Sequence, residues 1–218
     1  MAVVTRLAAQ KRGGGVEIFV DGELWLTAHR EAVFACGVHL GVAATATLAA
    51  QVRAADERHR AHEAALLLLS YRPRSEHELG ERLRRKGLSD EAIEETLARL
   101  RANGLVNDAR FAEQWIAERG AGSGARGRSL LTAELRAKGI MGEAVTEALG
   151  VIDEESRALE VARPRAARLA GLPYADFQRR LAGFLQRRGY GYGAINSAVR
   201  LLWRERGGDG EAASQAEE

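Results

Sequence analysis

The sequence predicts a mainly α-helical protein: an elongated array of three tandem three-helix repeats, preceded by a small N-terminal β-hairpin and helix. Composition is the first observation, since only three of the 218 residues are proline and Ala, Leu, Arg and Glu are abundant, as is typical of helical proteins. The second is a pattern that recurs 52 and then 50 residues further on. It contains a basic residue followed by glycine, at Lys86-Gly87, Lys138-Gly139 and Arg188-Gly189.

Each copy of the pattern predicts two helices. Before the glycine, leucines at i and i+4 mark one helical face, and the basic residue with glycine marks the helix end. These leucines are Leu79 and Leu83, Leu131 and Leu135, and Leu181 and Leu185. A second helix restarts near Ser89, Gly142 or Gly191, and its apolar stripe is formed by Ile93 and Leu97, Val145 and Leu149, and Ile195 and Val199.

A third helix completes each repeat. A helix from near Asp56 to Ser70 resembles the segment 108–119, because Ala65, Leu69 and Arg72 coincide with Ala112, Ile116 and Arg119 at a constant offset of 47. A third candidate covers residues 153–170. The repeats are therefore 56–106, 107–150 and 153–206, after a connector at 41–55. Since each repeat alone leaves an apolar face uncovered, neighbouring repeats should stack.

The N-terminal residues 1–40 predict a cap of different structure. Residues 16–20 and 23–27 read as two short strands around Asp21-Gly22, a pair that suits a type I′ turn. In that register Phe19 pairs with Leu24, and Ile18 pairs with Trp25. One face of the hairpin should pack on a helix of about residues 29–36 that ends at Gly37.

Charge and composition bound the remaining segments. Residues 121–206 hold 15 basic and 9 acidic residues, whereas residues 207–218 hold four acidic and no basic ones and predict a disordered acidic tail. The glycine-rich residues 120–127 predict a flexible hinge that lets the first repeat move relative to the second.

Localisation is predicted from what the sequence does not contain. No apolar run reaches the roughly 18 residues that span a bilayer, and residues 5–15 are polar where a signal peptide would be apolar. Cys36 is the single cysteine, so an internal disulfide is impossible; we expect it to be a buried small side chain. These features predict a cytoplasmic protein without membrane contact, and a monomer is the simplest expectation.

Four stretches of the sequence carry a resemblance to a known family: ALLLLSYRPRSEHEL at 65–79, LRRKG at 83–87, LRANGLVNDARFA at 100–112 and ELRAKGI at 134–140. Together they resemble the RecX family, regulators of the RecA recombinase. The resemblance covers most of residues 60–206, and the N-terminal hairpin is similar to an extension found in part of that family. Asn107-Asp108 departs from the two acidic residues that are usual there.

This resemblance implies a non-enzymatic modulator that binds the RecA filament on single-stranded DNA and suppresses its ATPase, strand-exchange and coprotease activities. The implied setting is DNA repair, recombination and the SOS response. Whether such a protein caps the filament or blocks its groove stays open. An array of repeats is compatible with this role, because a filament presents many equivalent sites at high local concentration.

Basic residues at the helix ends are the candidates for partner contact, with one cluster on each repeat. They could meet an acidic protein surface or DNA phosphates, or they could only complement the helix dipole. The candidates are Arg84, Arg85, Lys86, Arg136, Lys138, Arg187 and Arg188.

Aromatic residues add one further candidate. Tyr192 lies among glycines beside Arg187 and Arg188 and could stack on a base of single-stranded DNA. Tyr190 takes the position that Leu88 and Ile140 hold in the other repeats, so we expect it in the core. Trp115 and Trp203 are also expected in the core.

Catalysis and cofactors find little support in the sequence. No nucleophile elbow, phosphate loop or pair of Cys motifs occurs. His59, His62 and Glu63 stand at helical spacing and could bind a metal, but no further ligand is apparent, so we expect no metal and no cofactor. The alternatives to a filament regulator are an autonomous nucleic-acid-binding helical-repeat protein and an enzyme of unfamiliar type. A net charge of only +2 favours weak DNA binding.

Overall fold

The computed structural model describes residues 2–11, 13–122 and 124–207, and the chain divides after Asn107 into two compact units. The predicted acidic tail therefore lies outside the described residues, apart from Gly207. The first unit contains β1 Val4–Ala9, β2 Gly15–Val20, β3 Glu23–His29, α1 Arg30–Ala35, α2 Ala46–Tyr71, α3 Glu76–Arg84 and α4 Asp90–Ala102. The second contains α5 Asp108–Arg119, α6 Arg128–Ala137, α7 Glu143–Gly150, α8 Glu154–Ala167, α9 Tyr174–Arg187 and α10 Tyr192–Glu205.

The N-terminal sheet has three antiparallel strands in the order β1-β2-β3, where two were predicted. Positive φ at Asp21 (50°) and Gly22 (93°) fits the predicted type I′ turn. The pair of Phe19 with Leu24 is confirmed, but Ile18 pairs with Leu26 and not with Trp25. The prediction was wrong there because the register shifts between Ile18 and Phe19, so Trp25 has no partner of its own and forms a β-bulge.

Strand β1 was missed because its sequence, VTRLAA, shows no clear alternation of apolar and polar residues. Its pairing with β2 depends on partners in another strand, from Ala9 with Val16 at one end to Val4 with Val20 at the other. Arg6 covers the neighbouring strand, with its guanidinium carbon 3.7 Å from the centre of the Phe19 ring. The strand is thus fixed by contacts across the sheet and not by its own sequence pattern.

Helix α2 begins at Ala46 and not near Asp56, so it occupies most of the segment assigned as a connector. The Thr45 side chain caps it by accepting a hydrogen bond from the Leu48 amide at 3.0 Å. Its first half packs Val52 against the sheet and α1, while Ala61 and Ala65 belong to the core of the first three-helix domain. One helix therefore serves both parts of the first unit.

The three predicted helix ends share one geometry. The glycines Gly87, Gly139 and Gly189 adopt φ of +79°, +77° and +81°. The amide after each glycine donates to a leucine carbonyl five residues earlier, at Leu83, Leu135 and Leu185, as in a Schellman motif. All six leucines of the repeated pattern are fully buried. The repeat prediction is thereby confirmed in register.

The prediction that segment 120–127 is a hinge between the first and second domains was wrong, because the chain divides after Asn107. Residues 124–127 precede α6 and pack on the third domain, where the Gly127 amide donates to the Arg188 carbonyl at 2.8 Å. Ala125 is 3% exposed and lies in the core of the third domain. Glycine is needed there for close approach, since a Cβ on Gly127 would lie 2.3 Å from the Gly189 oxygen.

Glu57 joins α2 to the start of α4, and it gives a prediction about pH. Its carboxylate accepts hydrogen bonds from the Ser89 amide (2.8 Å) and hydroxyl (2.9 Å). These bonds hold the pKa of Glu57 below its ordinary value of 4.5, so their contribution is complete above pH 4.5 and is lost as the pH falls below it. We expect Glu57→Gln to cost less than about 1 kcal/mol at pH 7, since the hydrogen bonds are exposed to solvent, and to cost less at pH 3, where more of the carboxyl is protonated.

Urea unfolding at the two pH values measures this difference. Glu94→Gln is the control, because Glu94 is exposed and forms no ion pair among the described residues. A deficit of Glu57→Gln that persists unchanged at pH 3 would show that the carboxylate charge is not responsible.

Candidate partner-binding surface

The first basic cluster lies at the end of α3, and only part of its charge is available. Arg84 is engaged within the unit, with Nη1 2.8 Å from Glu81 Oε1 and Nε 2.8 Å from Asp90 Oδ1. Arg85 and Lys86 are exposed and form no ion pair among the described residues. Arg85 and Lys86 are therefore the two members of this cluster that can meet a partner without first breaking an ion pair.

The second cluster contains one exposed residue and one that packs on an aromatic ring. Arg136 is exposed and lines a cavity of about 310 Å³. The Lys138 ammonium lies 5.3 Å from the Trp115 ring centre, and the Arg119 guanidinium carbon lies 3.3 Å from the same ring. Trp115 is only half-buried, and its indole nitrogen donates to Glu134 Oε2 at 3.0 Å. Cation–π contact thus holds Lys138 against its own domain.

The third cluster includes the most exposed aromatic residue of the second unit. Tyr192 is 82% exposed at the first residue of α10, whereas Tyr190 is 4% exposed, as expected for a core residue. Arg187 is exposed, while Arg188 is half-buried with its guanidinium carbon 4.6 Å from the Phe184 ring centre. Arg187 and Tyr192 are the accessible side chains here.

Tyr190 fixes the position of this cluster. Its hydroxyl donates to the Ala125 carbonyl at 3.2 Å, and burial raises the pKa of the phenol, so the donating proton is retained. A Cβ on the preceding Gly189 would lie 2.5 Å from the Leu130 side chain. The end of α9 therefore meets the beginning of α6.

The two clusters of the second unit consequently lie at opposite ends of α6. Lys138 follows Leu130 by eight residues, which corresponds to roughly 12 Å along a helix. A partner that contacts both Arg136 and Arg187 has to follow the length of α6.

Net positive charge is concentrated in the third domain. Residues 153–206 hold eleven arginines and six acidic residues, whereas residues 56–106 and 107–150 each hold equal numbers of basic and acidic residues. The charge pattern therefore distinguishes the third domain from the other two as a surface for anionic partners.

None of the helices formed by the described residues is long and apolar enough to cross a membrane.

The three tandem three-helix domains place this chain in the class of helical-repeat proteins. Each domain carries basic residues at a helix end. Models of the first, second and third three-helix domains of RecX match residues 61–100, 107–149 and 153–199. The chain belongs to the RecX family, a family of regulatory proteins.

Curated relatives carry the name "Regulatory protein RecX". The protein from Amycolatopsis mediterranei is 40% identical over 158 residues, which cover 71% of this chain and 90% of the relative. The protein from Thermobifida fusca is 41% identical over 144 residues, covering 65% and 77%.

Two solved structures share the fold. A crystal structure of regulatory protein RecX superimposes with a TM-score of 0.75 at 22% identity and covers 92% of this chain and 100% of its own. RecX from Lactobacillus salivarius gives a TM-score of 0.63 at 24% identity, covering 68% of this chain and 97% of its own.

Proposed function

We propose that this protein is a negative regulator of the RecA recombinase. It binds the RecA filament on single-stranded DNA and inhibits its ATPase, strand-exchange and coprotease activities, in DNA repair, recombination and the SOS response. It acts in the cytoplasm as a monomer, by contact and without catalysis or a cofactor. The observation that carries the proposal is the match of all three domains to the RecX domain models.

The surface chemistry supports binding to an acidic, repetitive partner. Arg85, Lys86 and Arg187 are exposed cations without ion-pair partners among the described residues. Exposed charges of this kind chiefly steer association and make it sensitive to salt. A filament offers the same contact many times at high local concentration, so modest single contacts suffice.

A titration of the protein into RecA filaments on single-stranded DNA tests the proposal. ATP hydrolysis is followed, and binding to the same DNA without RecA is measured in parallel. We expect inhibition at well below one molecule per RecA protomer, without competition for DNA. Unchanged hydrolysis over the whole titration would contradict the proposal.

An autonomous nucleic-acid-binding protein is the second candidate, favoured by the charge of the third domain. Its excess of five positive charges lies in the same domain as the exposed Tyr192, and bases stack on such aromatic side chains. This alternative predicts tight binding to DNA alone, with affinity that falls steeply as salt is added. Weak DNA binding together with strong inhibition would exclude it.

The double substitution Arg187→Ala with Tyr192→Ala tests whether the third domain contacts the partner. Loss of an arginine and a tyrosine from an interface costs more than about 1 kcal/mol each when they are central to it, so we expect the inhibitory concentration to rise by roughly 10-fold or more. The measurement is the same ATPase titration.

Arg180→Ala with Arg200→Ala is the matched control for this prediction. Both arginines are exposed in the third domain and form no ion pair among the described residues. Their removal should change inhibition less than twofold. An equal loss in both double variants would show that net charge matters and that the Arg187–Tyr192 pair has no special role.

A further inference from the structure

Three side chains with metal-binding atoms converge in the first unit, from three separate segments. His29 ends β3, Glu31 lies in the first turn of α1, and His59 lies in the middle of α2. One nitrogen or oxygen atom from each lies within 4.8 Å of the other two. Residues 29 and 59 are far apart in sequence, so the fold creates this grouping.

His59 and Glu31 already stand at the separation of two ligands on one ion. His59 Nδ1 is 3.1 Å from Glu31 Oε2. Zinc binds histidine nitrogen and carboxylate oxygen at about 2.0–2.2 Å, which in tetrahedral geometry puts two ligand atoms roughly 3.4 Å apart. An ion can therefore take the place of the hydrogen between them after a movement of a few tenths of an ångström.

His29 is near enough to join but needs to turn its ring. The His29 and His59 rings are stacked, with centres 3.7 Å apart and planes inclined by 14°. Lone pairs lie in the ring planes, so nearly parallel rings do not direct them at one point. The ring is held weakly, because His29 Nδ1 accepts from the Glu31 amide over 3.3 Å. The backbone is held independently, by the His29 amide donating to Asp56 Oδ1 at 2.6 Å.

A cavity gives an ion access to this group. It has a volume of about 340 Å³ and is lined by Glu31 and His59, with His62, Arg58 and Arg99 also on its wall. His62 Nδ1 is buried and has no hydrogen-bond partner among the described residues.

We propose that His29, Glu31 and His59 bind one divalent transition-metal ion of the zinc type, with the cavity supplying the remaining ligands as water or as His62. The set of imidazoles and one carboxylate suits zinc and its neighbours and is unlike the all-oxygen sites of magnesium and calcium. The ion would link β3, α1 and α2. It would thereby fix the N-terminal sheet on the helix that also belongs to the first three-helix domain.

Metal titration of the tag-free, chelator-treated full-length chain tests the proposal. Zinc binding is measured by calorimetry, and cobalt binding by the visible absorption that low-symmetry cobalt sites show. Three variants remove one ligand each: His29→Asn, which keeps a good helix N-cap, Glu31→Gln and His59→Ala. His39→Ala with His77→Ala is the control, since both histidines are exposed and outside the cluster.

We expect one ion per chain, an affinity that falls by at least roughly 10-fold to 100-fold in each ligand variant, and no loss in the control. Zinc should also raise the unfolding temperature of the unaltered chain and not that of His59→Ala. Glu31 is 71% exposed in its side chain, so Glu31→Gln keeps the test valid if a histidine variant unfolds. Absence of binding, or binding that Glu31→Gln leaves unchanged, would overturn the proposal; so would binding that disappears in the control.

Discussion

Gly127→Ala is expected to destabilise the second unit by about 3 kcal/mol. Gly127 lies at the start of α6 against the turn between α9 and α10, and its amide donates to the Arg188 carbonyl. An added Cβ would lie 2.3 Å from the Gly189 oxygen and 2.4 Å from the Tyr190 nitrogen. Both atoms are backbone, so neither can move aside as a flexible side chain would.

The loss of stability is this large because the added Cβ forces the start of α6 away from the turn between α9 and α10. Overpacking in a tight contact costs about 1–3 kcal/mol, and each hydrogen bond lost across the junction adds about 0.5–1.5 kcal/mol. The bonds at risk are those from the Gly127 and Ser129 amides and from the Tyr190 hydroxyl. Hydrogen exchange of the first two amides, together with urea unfolding, measures the effect directly.

Gly124→Ala is the matched control in the same segment. A Cβ on Gly124 has nothing within 4 Å, and its φ is not positive. The substitution removes freedom from the unfolded chain and should stabilise the protein by about 0.4–1 kcal/mol. If Gly127→Ala behaved in the same way, the segment would be a flexible linker after all, as its composition first suggested.

Local signals allowed much of the fold to be predicted from the sequence. The helix ends at Gly87, Gly139 and Gly189 follow from a glycine after a basic residue and from leucines at i and i+4, which lie within ten residues of each other. The features that were missed depend on distant partners. Strand β1 needs β2 as its template, and the packing of residues 124–127 needs the turn at Gly189.

Composition misled the interpretation of that segment for a physical reason. Glycine permits flexibility, and it also permits two backbones to approach more closely than any side chain allows. The sequence alone does not distinguish these two uses of glycine. Close approach can be recognised only when the segment that packs against the glycine is known. In this chain the neighbour of Gly127 is 62 residues away.

Positions of the candidate contact residues were easier to predict than their availability. The basic residues lie at helix ends as the pattern indicated, but Arg84 is paired with Glu81 and Asp90, and Lys138 packs on Trp115. The histidine cluster shows the same limit. Sequence spacing grouped His59 with His62 and Glu63, which share one helix, whereas His29 and Glu31 reach His59 only through the packing of α1 on α2.

Glu78→Gln is expected to destabilise the first unit by about 3 kcal/mol, through a buried arginine. Arg74 is 7% exposed, and its Nη1 lies 2.6 Å from Glu78 Oε1. Arg72 and Arg82 share the same carboxylate. Glu78 therefore places one negative charge among three guanidinium groups where α2 ends and α3 begins, and burial lowers the pKa of Arg74 by disfavouring its charge.

Removal of the Glu78 charge leaves the positive charge of the buried Arg74 without a carboxylate to balance it. Breaking such a pair from one side costs about 3–5 kcal/mol, whereas replacing both partners by apolar residues of similar volume is often neutral. Arg74→Met in combination with Glu78→Gln should therefore recover most of the stability that Glu78→Gln loses. Urea unfolding followed by circular dichroism gives the free energy of unfolding of the unaltered chain, of Glu78→Gln and of the double variant.

Glu81→Gln separates this effect from the loss of any carboxylate on α3. Glu81 is 44% exposed and pairs with Arg84, which is 51% exposed, and exposed pairs contribute about 0–1 kcal/mol. A similar small loss in Glu78→Gln would mean that water reaches Arg74 when its partner is removed. A large loss that Arg74→Met recovers would instead show that the unpaired charge, and not the missing hydrogen bonds of Glu78, destabilises the junction of α2 with α3.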